Sequence, residues 1–168
     1  MQTKINGATL TNIGRKRTKN EDAAYFNSCE DFTLLMIADG IGGHKKGEVA
    51  SDMTISIVSN KISNFEKAFK LTTSRRLIKN AIKYANKEVN NLSVKQEYLD
   101  MGTTLVLALV LKEKTIIANI GDSRLYRFDK EFGLTQLTVD QNYVQYMIQI
   151  GKMTKEEAKN SNKKNVLL

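Results

Sequence analysis

The stretch FTLLMIADGIGGH, residues 32–44, decides the fold prediction. Its first seven residues, 32–38, are almost continuously apolar, which is typical of a strand buried on both faces. The apolar run stops at Asp39-Gly40, a dipeptide common in turns. Because a strand holds the residue at its end rigidly, Asp39 is a candidate functional residue as well as a candidate turn residue.

The segments around this stretch predict further strands and two long helices. Apolar residues at helical spacing predict one helix from Glu48 to residue 65, and a second one capped by Thr73 or Ser74 and reaching residue 92. The other predicted elements are strands at 9–13, 23–26, 103–111, 115–120, 125–128 and 134–137, a short helix at 143–150, and a helix opened by a capping box at 154–157. This order indicates an α+β class in which helices pack against antiparallel sheets.

Composition excludes several classes of protein. The 168 residues suit one domain, and a single Cys and a single His (Cys29 and His44) exclude a disulfide framework and a four-ligand zinc site. No leader pattern opens the chain, and its longest apolar run, 105–111, is far shorter than the about 20 residues that span a bilayer. We therefore expect a reduced cytoplasmic protein that does not enter a membrane.

The net charge of +8 raises the question of nucleic-acid binding. Residues 61–95 carry nine basic side chains against two acidic ones. However, 20 of the 26 cations are Lys, and the chain has no Trp. Nucleic-acid surfaces favour Arg forks and aromatic faces. The pattern therefore favours a solvated lysine-rich surface, and no nucleic-acid partner is expected.

Acidic residues occur at three places where a predicted strand meets a turn. These are Glu21-Asp22, Asp39 and Asp122. If they converge at one end of a sheet, they form a cluster of hard oxygen ligands that suits Mg²⁺ or Mn²⁺, and the carbonyl of Gly40 is a further candidate ligand. Each has a simpler interpretation: a capped loop for Glu21-Asp22, a turn for Asp39-Gly40, and an ion pair with Arg124 or Arg127 for Asp122.

Other motifs are excluded or weak. Gly40-x-Gly42-Gly43 has Lys45 where a dinucleotide fingerprint needs its third Gly, and no phosphate-binding P-loop occurs. A cysteine phosphatase is excluded because no anion-cradling loop follows Cys29. His44 is expected to be a hydrogen-bonding loop residue and not a catalyst.

The order of the motifs resembles the metal-dependent Ser/Thr protein phosphatases (the PPM group, type 2C), in their bacterial form. The resemblance extends over nearly the whole chain. The segments that carry it are R17-x-x-N-E-D22, D39-G-I-G-G-H-x-x-G-E-x-A-S51, M101-G-T-T104, N119-I-G-D-S-R124, L137-T-x-D140 and G151-x-x-T-x-x-E-A158. The resemblance implies a β-sandwich of antiparallel sheets flanked by helices, with residues 141–165 as a flap subdomain.

The resemblance also implies a centre of two Mn²⁺ or Mg²⁺ ions. Asp22 and Asp39 would be metal ligands, with Asp39 bridging the ions and the Gly40 carbonyl contributing. Glu21 would hold a metal indirectly, through water. Asp122 would match an acid that is associated with a third metal in bacterial members.

The activity that the resemblance implies is hydrolysis of phosphoserine and phosphothreonine. Two bridged divalent ions lower the pKa of a shared water, and the resulting hydroxide attacks the phosphorus. Arg17 would hold the substrate phosphate through paired N–H donors. The expected partners are phosphoproteins that a bacterial Ser/Thr kinase modifies, and the expected state is a monomer.

Several departures from the family limit the expected activity. The family's domain continues beyond Leu168 and supplies two more metal-binding aspartates, so we expect 1–168 to be one partial domain that binds Mn²⁺ weakly and has negligible turnover. Ile41 stands where some relatives place a His, and Asp140-Gln141-Asn142 replaces the usual Asp-His-Ser. The alternative hypotheses are a non-catalytic phosphoprotein-binding or regulatory protein and, with net charge as its sole support, a nucleic-acid-binding protein.

Overall fold

A computed structural model describes residues 5–41, 46–65, 70–164 and 166–168. The chain divides into two compact units, Met1–Ala118 and Asn119–Leu168. Both units combine helices with antiparallel strands, so the predicted α+β class is confirmed.

The first unit is built on one five-stranded sheet. Its strands are β1 (Asp22–Ser28), β2 (Thr33–Ile41), β3 (Gly102–Thr103), β4 (Leu105–Val110) and β5 (Thr115–Ile120), the last of which runs two residues into the second unit. The strand order is β1-β2-β4-β5, and the short β3 pairs with the end of β2. The strand β2 is therefore central, with neighbours on both sides.

The strands β1 and β2 form an antiparallel hairpin whose register runs from Asp22 opposite Asp39 to Ser28 opposite Thr33. Side chains alternate along β2. Leu34 and Met36 are at most 2% exposed on one face, whereas Ile37, on the other face, is 48% exposed. The hydrophobic set thus lies on one face of the sheet, and this fixes the register, because a slip by one residue would turn it outward.

Two helices, α1 (Gly47–Ser63) and α2 (Leu71–Ser93), cover the apolar face of the sheet. The core between helices and sheet consists of aliphatic side chains from every main element. It includes Leu34, Met36, Ala38, Val58, Ile62, Ile78, Ala81, Leu105, Leu107, Leu109 and Ile116. Burial of this set holds the hairpin and the helices together.

Four details of the predicted elements are wrong, the first being that the predicted strand 103–111 is divided at Thr104 into β3 and β4. Residues 9–13 form no strand: no described strand pairs with them, and Leu10 is 91% exposed. The strand β2 does not stop before Asp39 but continues through it to Ile41, because Gly40 and Ile41 pair with β3. The helix α2 begins at Leu71 and not at a Thr73 or Ser74 cap, since the Ser74 side chain is fully buried in the core.

The second unit contains a β-hairpin and two short helices. The hairpin pairs β6 (Tyr126–Asp129) with β7 (Gly133–Gln136), and the helices are α3 (Tyr143–Gln149) and α4 (Lys155–Asn160). The predicted capping box is confirmed: the Glu157 amide donates to the Thr154 hydroxyl, and the Thr154 amide donates to the Glu157 carboxylate. Across the described ranges, every helix is too short or too polar to cross a bilayer.

Candidate functional site

Asp22 and Asp39 are direct cross-strand neighbours on the open face of the sheet, opposite the helices. The Gly40 amide donates to the Glu21 carbonyl over 3.0 Å. In an antiparallel ladder this bond makes Asp22 and Asp39 a non-hydrogen-bonded pair, in which Cα atoms approach to about 4.5 Å and side chains lie closest. The sequence prediction that these two aspartates meet is therefore confirmed.

The pairing of Asp22 with Asp39 places two carboxylates opposite each other across the β1–β2 ladder. Like charges in directly opposed positions are unfavourable, and two unit charges 4 Å apart repel by about 1 kcal/mol even in water. Both side chains are exposed, so water screens part of this repulsion. A hard divalent cation between the carboxylates would remove it, and carboxylate oxygens are the ligands that Mg²⁺ and Mn²⁺ prefer.

The backbone of Asp39 is held from the side of β4. Its carbonyl accepts hydrogen bonds from the Thr104 amide at 2.9 Å and from the Thr103 hydroxyl at 3.0 Å. Its own amide donates to the Thr104 hydroxyl, also at 3.0 Å. These bonds interrupt the ladder between β3 and β4, and they leave Asp39 little freedom to move along the strand.

A close approach of three backbone segments positions Glu21. A Cβ atom on Gly40 would collide with the carbonyl of Gly47 and would lie 2.6 Å from the Glu21 carbonyl oxygen. The Ser51 hydroxyl donates to the same Glu21 carbonyl at 2.6 Å. Glycine at position 40 is therefore required by space, and the start of α1 is packed directly against the Glu21-Asp22 turn.

Asn20 and Lys19 organise the turn before β1. The Asn20 side-chain oxygen accepts from the Asp22 amide at 3.2 Å, and the Lys19 ammonium contacts Glu48 at 3.2 Å. A backbone N–H bond to Glu48, together with Lys19, holds the pKa of this carboxyl below its usual value, although desolvation opposes the shift. The other Glu48 carboxylate oxygen is buried and has no partner within the described residues.

Arg17 lies at the same end of β1 as Asp22. Its guanidinium is 3.8 Å from the Glu21 carboxylate, and its side chain is 70% exposed. A contact of this length between partly exposed groups is weak. The guanidinium therefore keeps N–H donors available for an anion in solution.

Asp122, in the second unit, does not form the ion pairs considered for it. Arg124 pairs with Asp140 through two bonds of 2.6 and 2.9 Å, and Arg127 pairs with Asp129 at 3.1 Å. Both pairing interpretations of Asp122 are therefore wrong. Asp122 is half-buried, and within the described residues no hydrogen bond or ion pair engages its carboxylate.

The segment Asp140-Gln141-Asn142, which departs from the family's pattern, has structural contacts at each position. The Asp140 carboxylate raises the pKa of Arg124 through their paired hydrogen bonds. Gln141 accepts from the Gly121 amide at 3.1 Å, and Asn142 caps α3 by accepting from the Gln145 amide at 3.0 Å. These contacts fasten the Asp122 turn to the start of α3.

The structure thus brings together some of the predicted site residues. Arg17, Glu21, Asp22, Asp39 and Gly40 lie around one end of the β1–β2 hairpin. Within the described ranges, however, no three Asp, Glu, His or Cys side chains are arranged so that they could hold a metal ion. The chemistry of the donor set fits Mn²⁺ or Mg²⁺, but the described donors number fewer than a closed site needs. His44 lies outside the described residues.

Sequence reasoning missed the residues that hold this end of the hairpin in place. The bonds from Thr103 and Thr104 to Asp39 could not be anticipated, because they join segments 64 and 65 residues apart. The Lys19–Glu48 pair was missed for the same reason. One indication of the importance of these residues was present in the sequence: Thr103-Thr104 and Glu48-x-x-Ser51 both lie in segments that resemble the family's motifs.

Comparisons with known proteins find relatives over nearly the whole chain. The Protein phosphatase 2C family model matches residues 13–164. The chain is 36% identical over 163 residues to the serine/threonine phosphatase stp of Listeria monocytogenes, covering 94% of this chain and 63% of that protein.

Solved structures are similar as well. Serine/threonine phosphatase Stp1 from Staphylococcus aureus has a TM-score of 0.84 at 34% identity, over 94% of this chain and 62% of that one. The catalytic domain of the phosphatase PstP, in complex with 2 manganese ions, has a TM-score of 0.73 at 31% identity, over 89% and 61% of the two chains.

The chain spans less than two thirds of the length of these relatives. Within that span the family match is nearly complete, since it begins before the Arg17 segment and ends after α4. The aspartate pair of the β1–β2 hairpin lies inside the matched region. The chain therefore belongs to the protein phosphatase 2C family.

Proposed function

We propose that this chain is part of a Mn²⁺- or Mg²⁺-dependent phosphatase that hydrolyses phosphoserine and phosphothreonine in proteins. The observation that carries the proposal is the closely spaced carboxylate pair, Asp22 and Asp39, on the open face of the sheet. The names of the relatives, which are serine/threonine phosphatases, and the two manganese ions of the PstP structure support it.

The residues at the end of the hairpin have distinct roles in this proposal. Asp22 and Asp39 would hold two ions, with Asp39 between them and the Gly40 carbonyl as a further ligand, and Glu21 would act through water. Asp122 would serve a third ion. When bound, the metal supplies positive charge for the phosphoryl oxygens and lowers the pKa of water. The hydrogen bonds from Thr103 and Thr104 keep Asp39 at its place.

Arg17 would bind the substrate phosphate. Its planar guanidinium offers paired N–H donors, which match two phosphate oxygens in a way that an ammonium group does not. Its present contact with Glu21 is long and exposed, so a phosphate can displace it at little cost. We expect phosphoproteins of a bacterial Ser/Thr kinase to be the substrates, with residues 141–165, which include α3 and α4, forming a flap.

Manganese binding tests the proposed centre. Titration of the 168-residue chain with MnCl₂ in a calorimeter should give a weak site with a Kd on the order of 10⁻⁴–10⁻³ M, the weak end of the range that oxygen-ligand calcium sites span. Asp39→Asn should weaken binding at least tenfold. The matched control is Asp31→Asn, which removes the same charge at the other, exposed end of the hairpin and should leave binding unchanged. Equal binding by wild type and Asp39→Asn would reject the proposed metal site.

A non-catalytic phosphoprotein-binding function is the second candidate. It is favoured by the small number of acids that the described residues bring together. A phosphothreonine peptide distinguishes the two, with phosphate release measured in the presence of Mn²⁺ and peptide binding measured by fluorescence anisotropy. Binding that Arg17→Ala abolishes, without release of phosphate, would favour the non-catalytic function for this chain. Manganese-dependent release that Asp39→Asn abolishes would favour the enzyme.

A further inference from the structure

A groove of about 390 Å³ lies between α2 and β5, away from the aspartate pair. Its apolar walls come from one face of the helix and from the strand, and its rim is basic. The apolar lining residues are Ile78, Ile82, Ile116, Ile117 and Ala118, and the rim residues are Arg75, Lys79 and Lys83. Among the residues that the structure describes, no acidic side chain lines it.

The groove runs along the backbone edge of β5. Successive side chains of a strand point to opposite faces of its sheet. Three consecutive residues, Ile116 to Ala118, nevertheless line the same groove, which requires that the edge of the strand faces it. In the described sheet β5 is the last strand of the order, so the outer edge of its residues 115–118 offers N–H and C=O groups for pairing, whereas the Asn119 carbonyl already accepts from the Gln141 side chain.

The rim cations form a stripe along α2. Arg75, Lys79 and Lys83 are four residues apart and therefore lie on one side of the helix, where like charges repel and weaken the helix. None of the three forms an ion pair with an acid in the part of the chain that the structure describes. The repulsion within the stripe therefore destabilises α2, and an acidic partner would relieve it.

The geometry points to an occupant: we propose that an extended acidic segment of a partner protein docks in this groove and adds a strand to β5. Main-chain hydrogen bonds to an exposed sheet edge give such binding its affinity, and side-chain pockets give it specificity. The segment would place one aliphatic side chain between Ile78 and Ile82 and carboxylates on either side of it.

The spacing of the rim supports this occupant. Arg75 and Lys83 are eight residues apart on a helix, which corresponds to about 12 Å. The first and fifth residues of a strand are separated by about 13 Å and point to the same face. A segment of the pattern Glu-Val-Leu-Val-Glu therefore presents its two carboxylates to the two ends of the stripe while its Leu enters the apolar part.

A labelled peptide, Thr-Glu-Val-Leu-Val-Glu-Thr, tests the proposal by fluorescence anisotropy with the full chain. The double variant Arg75→Glu/Lys83→Glu should weaken binding at least tenfold. The matched control, Arg76→Glu/Lys87→Glu, makes the same charge change at exposed positions of the same helix that do not line the groove, and it should change binding less than twofold. An equal loss in both variants would mean non-specific attraction and would overturn the proposal.

N-methylated peptides test the added strand. The amides of a strand point alternately to its two edges, so only every second amide of the peptide would donate to β5. Methylation of those amides should abolish binding, and methylation of the intervening amides should preserve it. If neither set of methylated amides weakens binding, no strand is added and the proposal fails. It also fails if phosphatidylserine vesicles bind through Arg75 and Lys83 while the peptide does not bind, since the surface would then contact lipid.

Discussion

The two faces of β2 differ in what they contact, although they belong to the same nine residues. Leu34 and Met36 are buried against α1 and α2, whereas Ile37 and Asp39 lie on the open face. Because side chains alternate, the burial of one set fixes where the other set points. The comparison teaches that the apolar core positions Asp39, although Asp39 is not part of it.

The largest expected effect on stability comes from truncating a side chain on the buried face of β2. Leu34→Ala should lower the free energy of unfolding by about 3 kcal/mol, because it removes a fully buried side chain and leaves a cavity. Its neighbour Leu35, 37% exposed on the open face, is the matched control, and Leu35→Ala should cost less than about 1 kcal/mol. Urea unfolding measures both. Equal losses would mean that the two faces contribute alike to stability.

Gly40→Ala should have the next largest effect. The added Cβ would press on the carbonyls of Gly47 and Glu21, so the end of β2 must shift, at a cost of about 1–3 kcal/mol. Manganese affinity should fall at the same time. Gly102→Ala, one residue further along the β2–β3 ladder, is the control, since a Cβ there meets nothing within 4 Å. An unchanged stability and metal affinity in Gly40→Ala would contradict the close approach.

Asp22→Asn should change the free energy of unfolding by less than Gly40→Ala does. Whether the variant is more or less stable than wild type should depend on whether metal is bound. Without metal the variant should be more stable than wild type by about 0.2–1 kcal/mol, because a like-charge pair across the strands is removed. With Mn²⁺ present wild type should gain stability through binding, whereas the variant should gain little. Urea unfolding with and without MnCl₂ measures both effects. A variant that is less stable than wild type in chelator would show that the pair does not repel.

The smallest effect is expected at Glu48, at the start of α1. Its pKa is lowered in the folded protein, so its ionised form stabilises the fold above its ordinary value of 4.5, and this stability is lost as the pH falls through the folded-state pKa. The difference in unfolding free energy between wild type and Glu48→Gln should therefore shrink below pH 4.5. Lys19→Met should reproduce part of the change, since Lys19 is one of its causes. A difference that is constant with pH would contradict the assignment.

Local patterns in the sequence predicted most of the elements. The capping box at Thr154, the helix that follows residue 47 and the apolar strand before Asp39 were all found in this way, since each depends on residues close together in the chain. The predictions failed where contacts between distant segments of the chain determine the local structure. Residues 9–13 have a strand-like pattern, but none of the described strands pairs with them, and Ser74 is a good cap residue that the core buries instead.

The candidate site also has a part that the sequence predicted and a part that it could not show. The residue types and their order predicted two carboxylates at strand ends, a close-approach glycine and a nearby arginine. The sequence could not show that Arg124 binds Asp140, that none of the described cations pairs with Asp122, or that Thr103 and Thr104 hold Asp39. These contacts join residues that are far apart in the chain, so no local spacing encodes them.

The sequence by itself determined which side chains are apolar, which are acidic and with what period they recur. Only the tertiary structure decided that Asp22 stands directly opposite Asp39. The physical reason is that the register of the two strands is fixed by burial. Every second side chain of β1 and β2 packs under α1 and α2, and a different register would not bury this set. A slip by a single residue would expose that set and turn Asp39 toward the core, and the cost of burying its charge excludes it.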